Sequence, residues 1–587
     1  MLSKNDIIEL NITSLTSDGD GVARTAEGIV VFIPNTAVGD EIQARILKVK
    51  KNVAYAKVEE IITPSPDRIT PDCPVSKQCG GCVYRHISYD AELTAKRQKV
   101  VDCITRIGKL DESLVGNIIP SENIDGYRNK AMIPIGLDKN GEVTMGFYAR
   151  HSHRIVPCID CKLSPEIFNE IAADFYDFIK DRPKLVDTDR NRQGIRHLYL
   201  RYAEKTGDVM VCIVAGKRSF DGDTALYNSL KEKYNQIKSI ILNVNPDDTN
   251  VVLGKKSYTV YGEDCIEDIL CGLRFDIAPR SFYQVNRTQA ERLYGVARDY
   301  ADLSGSEVLL DLYCGTGTIG LSMAKDCKEI IGVEIIPEAI ENANANAERN
   351  GITNARFICA DASEAAAKLR GEGITPNVVI VDPPRKGLTP ELIETITKMH
   401  PDRVVYASCD PATLARDLSQ FETLHYSVKE ITPVDMFPRT AHCESVCLLS
   451  RKNMHDMRLN PEPFEMIKNG QKTIELRLLD EKRQKIKSGD EIVFTNTADG
   501  RKLKVIVASV HRFDNFEELY RSLPLLQCGY TEESVKTASH ADMEEYYSAE
   551  EQKKYGVVGI EIFRPNQTTD ESVCKLIRCD INPLPDL

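Results

Sequence analysis

The spacing of apolar and polar positions changes character several times along the chain. From residue 6 to about 61 it alternates with period two, as in Glu41-Ile42-Gln43-Ala44-Arg45-Ile46 and Val53-Ala54-Tyr55-Ala56-Lys57-Val58. Gly19-Asp20-Gly21 and Val38-Gly39-Asp40 supply turns, and short strands at this spacing predict a small β-barrel over residues 1–61. Thr63-Pro64-Ser65-Pro66 marks a boundary. Residues 62–274 mix a helical segment after Cys82, strand-like runs between Tyr127 and Cys161, and a hairpin in which Lys205-Thr206-Gly207-Asp208 joins 195–202 to 209–214. This reads as an α+β domain. Over 275–452 buried strands (308–312, 329–333, 356–359, 378–381, 404–407, 445–450) alternate with helices from about Thr318 and over 337–350. That order predicts a doubly wound, Rossmann-like α/β sheet. A smaller unit occupies 460–565, and 566–587 reads as a tail.

Composition narrows the partners. The chain has 587 residues, enough for three or four domains. Its net charge is -13, from 75 basic and 88 acidic residues, so any case for nucleic acid has to come from local patches and motifs. Eighteen cysteines, several of them crowded between Cys73 and Cys161, suit a metal or cluster site in a reducing cytosol better than a secreted disulfide scaffold. No basic leader followed by an apolar core opens the sequence, and no window approaches ~18 apolar residues. A soluble cytoplasmic protein, with no membrane contact and no evident protein partner, is the expectation.

The candidate chemistry gathers at strand ends. Val404-Val405-Tyr406-Ala407-Ser408-Cys409 stops at a cysteine, and Asp410-Pro411 then supplies an N-cap and a first helical residue. Cys409 would sit beside a positive helix end, where a thiol pKa falls. The alternative is a buried cysteine acting as a small hydrophobe. Asp311-Leu312-Tyr313-Cys314-Gly315-Thr316-Gly317 follows one strand and opens a helix, and Glu334 ends the next, at the offset where such folds hold a ribose. The D-x-x-C-G-x-G form suits S-adenosylmethionine better than a dinucleotide. Asp361 is either an adenine contact or a helix N-cap. Asp382-Pro383-Pro384 ends the fourth strand, in the manner of methyltransferases acting on planar nitrogens or bases.

These positions share one sheet edge, where open α/β folds bind ligands. A nucleophilic thiol is unnecessary for methylating oxygen or nitrogen, but is needed at C5 of uracil: addition to C6 makes C5 nucleophilic, and a base must then remove the C5 proton. Glu444, in His442-Cys443-Glu444-Ser445-Val446, is placed for that base, against a reading as a solvated strand end.

Ser408–Asp417 (Ser-Cys-Asp-Pro-Ala-Thr-Leu-Ala-Arg-Asp), residues 442–446 and Ser281-Phe282-Tyr283-Gln284-Val285-Asn286 resemble three signatures of the RNA uracil-5-methyltransferase family, a resemblance covering about residues 1–452. It implies Cys409 as nucleophile, Glu444 as base, and Gln284, Tyr313, Glu334 and Asp382 as contacts to S-adenosylmethionine. The N-terminal segment resembles the RNA-binding TRAM domain of the family's ribosomal-RNA branch. Cys73, Cys79, Cys82 and Cys161 resemble that branch's [4Fe-4S] ligands; spacing alone allows zinc equally, and Cys158 is a rival for Cys161. Basic residues in 96–106 and 128–154 are candidates for phosphate contact, against a solvated face. Asn469-Gly470-Gln471-Lys472-Thr473-Ile474-Glu475-Leu476-Arg477 resembles the ASCH domain, a PUA-like β-barrel, with Lys472, Glu475 and Arg477 expected in its cleft and binding favoured over hydrolysis. The expected activity is formation of 5-methyluridine in ribosomal RNA, large subunit favoured, on a flipped-out base. The rivals are the same reaction on transfer RNA, a non-catalytic RNA-binding protein with a decayed core, and a small-molecule methyltransferase.

Overall fold

A computed structural model describes residues 2–188, 192–247 and 251–564. The expected tail at 566–587 lies outside these. The chain divides into two compact units, Met1–Ser450 and the part from Arg451 onward.

The first unit opens with a six-stranded sheet in the order Ile7–Asn11, Glu41–Val49, Val53–Thr63, Val30–Ile33, Gly21–Arg24, Ser14–Leu15. Its alternating residues Ile42, Ala44, Ile46, Ala54 and Ala56 form one buried face. Three register shifts between Glu41–Val49 and Val53–Thr63 bend the sheet. The pairing runs open from end to end among the described residues, so the expected barrel is a half-barrel. Residues 195–202 and 209–215 pair antiparallel as the hairpin signal required, inside a seven-stranded sheet that buries Phe168, Ile171 and Phe175 of helix Glu166–Ile179.

The third sheet positions the site. Its order is Ala355–Cys359, Glu329–Glu334, Val308–Leu312, Val378–Val381, Arg403–Ser408, Glu444–Arg451, Tyr426–Val434. The first five strands pair in parallel, and successive residues bury on opposite faces: Leu310, Val379, Val404 and Tyr406 in one core, Leu309, Val378, Ile380 and Val405 in the other. Glu444–Arg451 departs from the expected parallel series, because it lies antiparallel to Arg403–Ser408. Strand Tyr426–Val434 had no counterpart in the sequence reading; its burial is interrupted by exposed Lys429 and Glu430.

The second unit holds five strands in the order Met454–Leu459, Glu491–Asn496, Lys502–Phe513, Val557–Phe563, Ile474–Leu478, again open among the described residues rather than a closed barrel. No described helix is long and apolar enough to cross a membrane.

Candidate active site

The antiparallel strand brings the two central residues together. Ser408 is opposite Ser445, so carrying the register one step further aligns Cys409, just past the end of one strand, with Glu444, at the start of the next. Asp382 follows Val378–Val381, which pairs in register with Val378↔Arg403 through Val381↔Tyr406, at the same edge. Helix Pro411–Thr423 fixes the turn after Cys409: the Asp410 carboxylate accepts from the backbone N–H of Ala412 (2.9 Å) and Thr413 (3.2 Å), and Ser408 Oγ donates to the Asp410 carbonyl (3.0 Å).

Electrostatics correct one expectation. Burial pushes the Cys409 thiol up to about 11, with Glu444 and Asp382 adding to the rise and Arg385 opposing it. The helix end does not lower this pKa because Asp410 already takes its free N–H groups. Burial raises Glu444 to about 8, with Asp382 contributing, and Asp382 itself to about 7. Near neutral pH these carboxyls are therefore shifted toward their protonated forms, with the exposed guanidinium of Arg385 opposing the shift at Cys409 and Glu444. Arg385 was quoted in the sequence only as part of a motif. Its proximity to Cys409 and Glu444 emerges only when distant strands pair.

On the other side of the edge, the glycine loop offers a nucleoside-shaped surface. Tyr313 takes a left-handed backbone (φ 65°), and a Cβ on Gly315 would meet nothing within 4 Å, so the loop top is open. Below it the backbone is crowded: a Cβ on Gly332 would come within 2.4 Å of Phe357. Asp311 is buried with Oδ2 accepting from Gly320 N–H (3.0 Å) and Oδ1 without a hydrogen-bond partner. The half-buried Glu334 accepts from Gly315 N–H (3.2 Å) and Ile335 N–H (2.8 Å), and exposed Ile335 and Ile336 follow it. An acid at a strand end, open glycines and exposed apolar side chains fit S-adenosylmethionine. Gln284 is half-buried, its carbonyl accepting from Asn129 Nδ2 (2.8 Å). Asp361 resolves as an N-cap, accepting from Ser363 N–H (2.8 Å).

A separate cavity of about 320 Å³ is lined by Cys73, Cys79, Cys82, Cys158 and Cys161 together with Arg128 and Lys130. Burial pushes Cys82 and Cys158 up to about 12. Among the described residues no three His, Cys, Asp or Glu side chains converge tightly enough to hold one metal ion. The cysteine lining is a donor chemistry that suits zinc and an iron–sulfur cluster alike.

The basic residues expected to meet phosphates divide: Arg106, His151, His153 and Arg154 are exposed, while others are engaged within the protein. Lys96 is buried in an ion cluster, Arg97 donates to the carbonyls of Val115 and Gly116, and Lys99 to those of Ser17 and Ala441, so these are not free for phosphates. Within the second unit, buried Glu475 pairs with Lys472 (3.0 Å) and Arg477 (2.9 Å). Arg477 lines a cavity of about 820 Å³ with His455, Arg458 and Lys482, but Lys472 and Glu475 do not.

Comparison with known proteins agrees with this arrangement. Residues 272–452 match the tRNA (Uracil-5-)-methyltransferase family, 3–58 the TRAM domain and 457–566 the ASCH domain. An uncharacterized RNA methyltransferase of Halalkalibacterium halodurans is 41% identical over 453 residues, 77% of this chain and 98% of its own length. One from Clostridium tetani is 41% identical over 450 residues, 76% of this chain and 97% of its own. The crystal structure of Pyrococcus abyssi tRNA (uracil-54, C5)-methyltransferase with S-adenosyl-L-homocysteine is 30% identical, covers 75% of this chain and 99% of that one, and superposes with a TM-score of 0.60. The chain thus belongs to the S-adenosylmethionine-dependent RNA (uracil-5-)-methyltransferase family, with a TRAM domain and an ASCH domain beside its catalytic domain.

Proposed function

We propose that this enzyme forms 5-methyluridine in ribosomal RNA through a covalent adduct between Cys409 and C6 of a flipped-out uracil. The observation that carries the reading is the antiparallel alignment of Cys409 with Glu444 beside Asp382. One side chain is placed to open the reaction and another to close it. Cys409 gives up its proton to solvent, and the thiolate sulfur bonds to C6 while the C5–C6 π pair moves toward C5 and the uracil carbonyl. S-adenosylmethionine would supply the methyl for C5, its S–CH3 bond breaking to leave S-adenosylhomocysteine, and a sulfonium charge while bound. Glu444 then takes the C5 proton, the C5–C6 double bond re-forms, and the C6–S bond breaks to release Cys409. Arg385 eases ionisation of the thiol and of Glu444. Gln284, Tyr313, Glu334 and Asp382 hold the methyl donor along the glycine loop. Because burial raises both Cys409 and Glu444, a cation bound in the site would favour the ionised form of each.

Cys73, Cys79, Cys82 and Cys161 would hold a [4Fe-4S] cluster that braces the central sheet. Anaerobically purified protein is then brown, and a colourless protein with one zinc would contradict this. The ribosomal substrate rests on the TRAM domain and the cysteine set together. Transfer RNA is the second reading, favoured by the likeness to the Pyrococcus enzyme. Mapping 5-methyluridine across all cellular RNA, with and without this protein, separates them. The expected result is loss at a ribosomal uridine. Loss in transfer RNA alone would replace the substrate, and no loss anywhere would remove the activity.

A further inference from the structure

Helix Tyr89–Arg106 carries two charges that the reaction does not use. Glu92 and Lys96 have fully buried side chains, and both meet Asp435, also fully buried, or the segment that follows it. Lys96 Nζ donates to Glu92 Oε1 (2.7 Å), Asp435 Oδ1 (2.6 Å) and the Phe437 carbonyl (3.0 Å). Glu92 Oε1 also accepts from the backbone N–H of Arg439 (2.6 Å), a residue held at φ 67°. Asp435 Oδ2 accepts from Tyr89 (2.8 Å).

Such a cluster is a poor way to gain stability. Burying ions is costly, and well-packed apolar replacements of a buried ion pair are often neutral or stabilising. Directional hydrogen bonds, by contrast, fix where a backbone goes. Here the fixed backbone is the segment between Asp435 and Glu444. The Phe437 carbonyl that accepts from Lys96 also accepts from Thr440 Oγ1 (2.8 Å). Thr440 Oγ1 accepts in turn from the His442 N–H (3.2 Å), two residues before Glu444. A chain of hydrogen bonds therefore runs from a buried ammonium to the backbone of His442, two residues before the strand that opens with Glu444. Across it, the Arg439 carbonyl accepts from Val83 N–H (2.8 Å), so the turn is clamped from two sides.

We propose that Lys96, with Glu92 and Asp435, is a positioning residue of the methyl-transfer reaction, holding the 435–443 turn so that Glu444 reaches the C5 proton. The proposal rests on Glu444 as the base. Misplacing a catalytic group by ~1 Å costs about a hundredfold, so loosening this turn slows resolution of the adduct more than its formation.

The test follows the adduct in the full-length enzyme under single-turnover conditions with S-adenosylmethionine and substrate RNA, read on a denaturing gel. Asp435→Asn and Lys96→Met are expected to slow product release about ten- to a hundredfold and to raise the adduct fraction, with S-adenosylmethionine affinity within about twofold of wild type. Either single variant leaves buried charge unpaired and can misfold. Arg439 Nη1 also pairs with Glu92 Oε2 (3.5 Å) and is buried, so the neutral control is the fourfold variant Glu92→Gln/Lys96→Met/Asp435→Asn/Arg439→Gln, which removes that cost and is expected to melt near wild type yet still accumulate adduct. A folded fourfold variant that partitions as wild type does overturns the proposal. Glu444→Gln is the reference: if it traps adduct and the cluster variants do not, positioning fails alone. If Glu444→Gln traps none, the base assignment fails and takes the proposal with it.

Discussion

At the residue scale, the site is a problem of unwelcome charge. Glu444 is raised to about 8, and Asp382 and Asp311 to about 7, each chiefly by burial. A carboxyl raised on folding contributes stability that is present below its unfolded pKa, near 4, and is lost as pH climbs through its folded value. The ligand-free protein is therefore expected to lose thermal stability from about pH 4 to about pH 8. A cationic ligand favours the ionised acids, so the melting-temperature gain from S-adenosylmethionine grows between about pH 6 and about pH 9. S-adenosylhomocysteine lacks the sulfonium and gives a flatter profile. Differential scanning fluorimetry across that range checks it; parallel profiles for the two ligands would mean that the acids do not feel the charge. None of this was visible in the sequence. The local pattern pointed to a lowered thiol pKa at a helix end, because it showed the helix and not the carboxylates that folding brings from Asp382 and Glu444.

At the scale of elements, Asp417 holds the site's frame. It is 2% exposed, and its Oδ2 accepts from the Leu388 N–H (2.8 Å) and the Tyr406 hydroxyl (2.8 Å). One side chain on helix Pro411–Thr423 thus ties the Asp-Pro-Pro loop to strand Arg403–Ser408, which leads into Cys409. Asp417→Ala leaves two buried donors without acceptors, at about 1–3 kcal/mol each, and is expected to destabilise the fold by about 2–6 kcal/mol in a denaturant titration. A loss below about 0.5 kcal/mol would mean that water or a neighbour takes over. The parallel strands were legible because strands buried on two faces read as continuous apolar runs, as at Val378–Val381. The reversal of Glu444–Arg451 was not, since an apolar run carries no direction. Tyr426–Val434 was missed because Lys429 and Glu430 break its alternation. Lys96 looked like a candidate phosphate contact, since helix periodicity does not reveal a partner hundreds of residues away in Asp435.

At the scale of the molecule, two units follow one another, and the relatives of Halalkalibacterium halodurans and Clostridium tetani match over 453 and 450 residues, about the length of the first unit. A shortened protein comprising residues 1–452 is expected to keep methyl transfer, since its sheet, glycine loop, Cys409 and Glu444 all lie within it. Failure of that fragment while folded would show that the ASCH domain takes part in the reaction. The whole-chain charge of -13 gave little help in finding an RNA enzyme, because the evidence lies in a few strand ends rather than in a field.

The most direct measurement is the intact mass of the Glu444→Gln enzyme after incubation with S-adenosylmethionine and a short uridine-containing substrate RNA, followed by peptide mapping. The account predicts a covalent protein–RNA species carrying one added methyl, linked through Cys409 and absent from the Cys409→Ala enzyme. Methylated RNA released at the wild-type rate with no such species, or turnover by the Cys409→Ala enzyme, would contradict it.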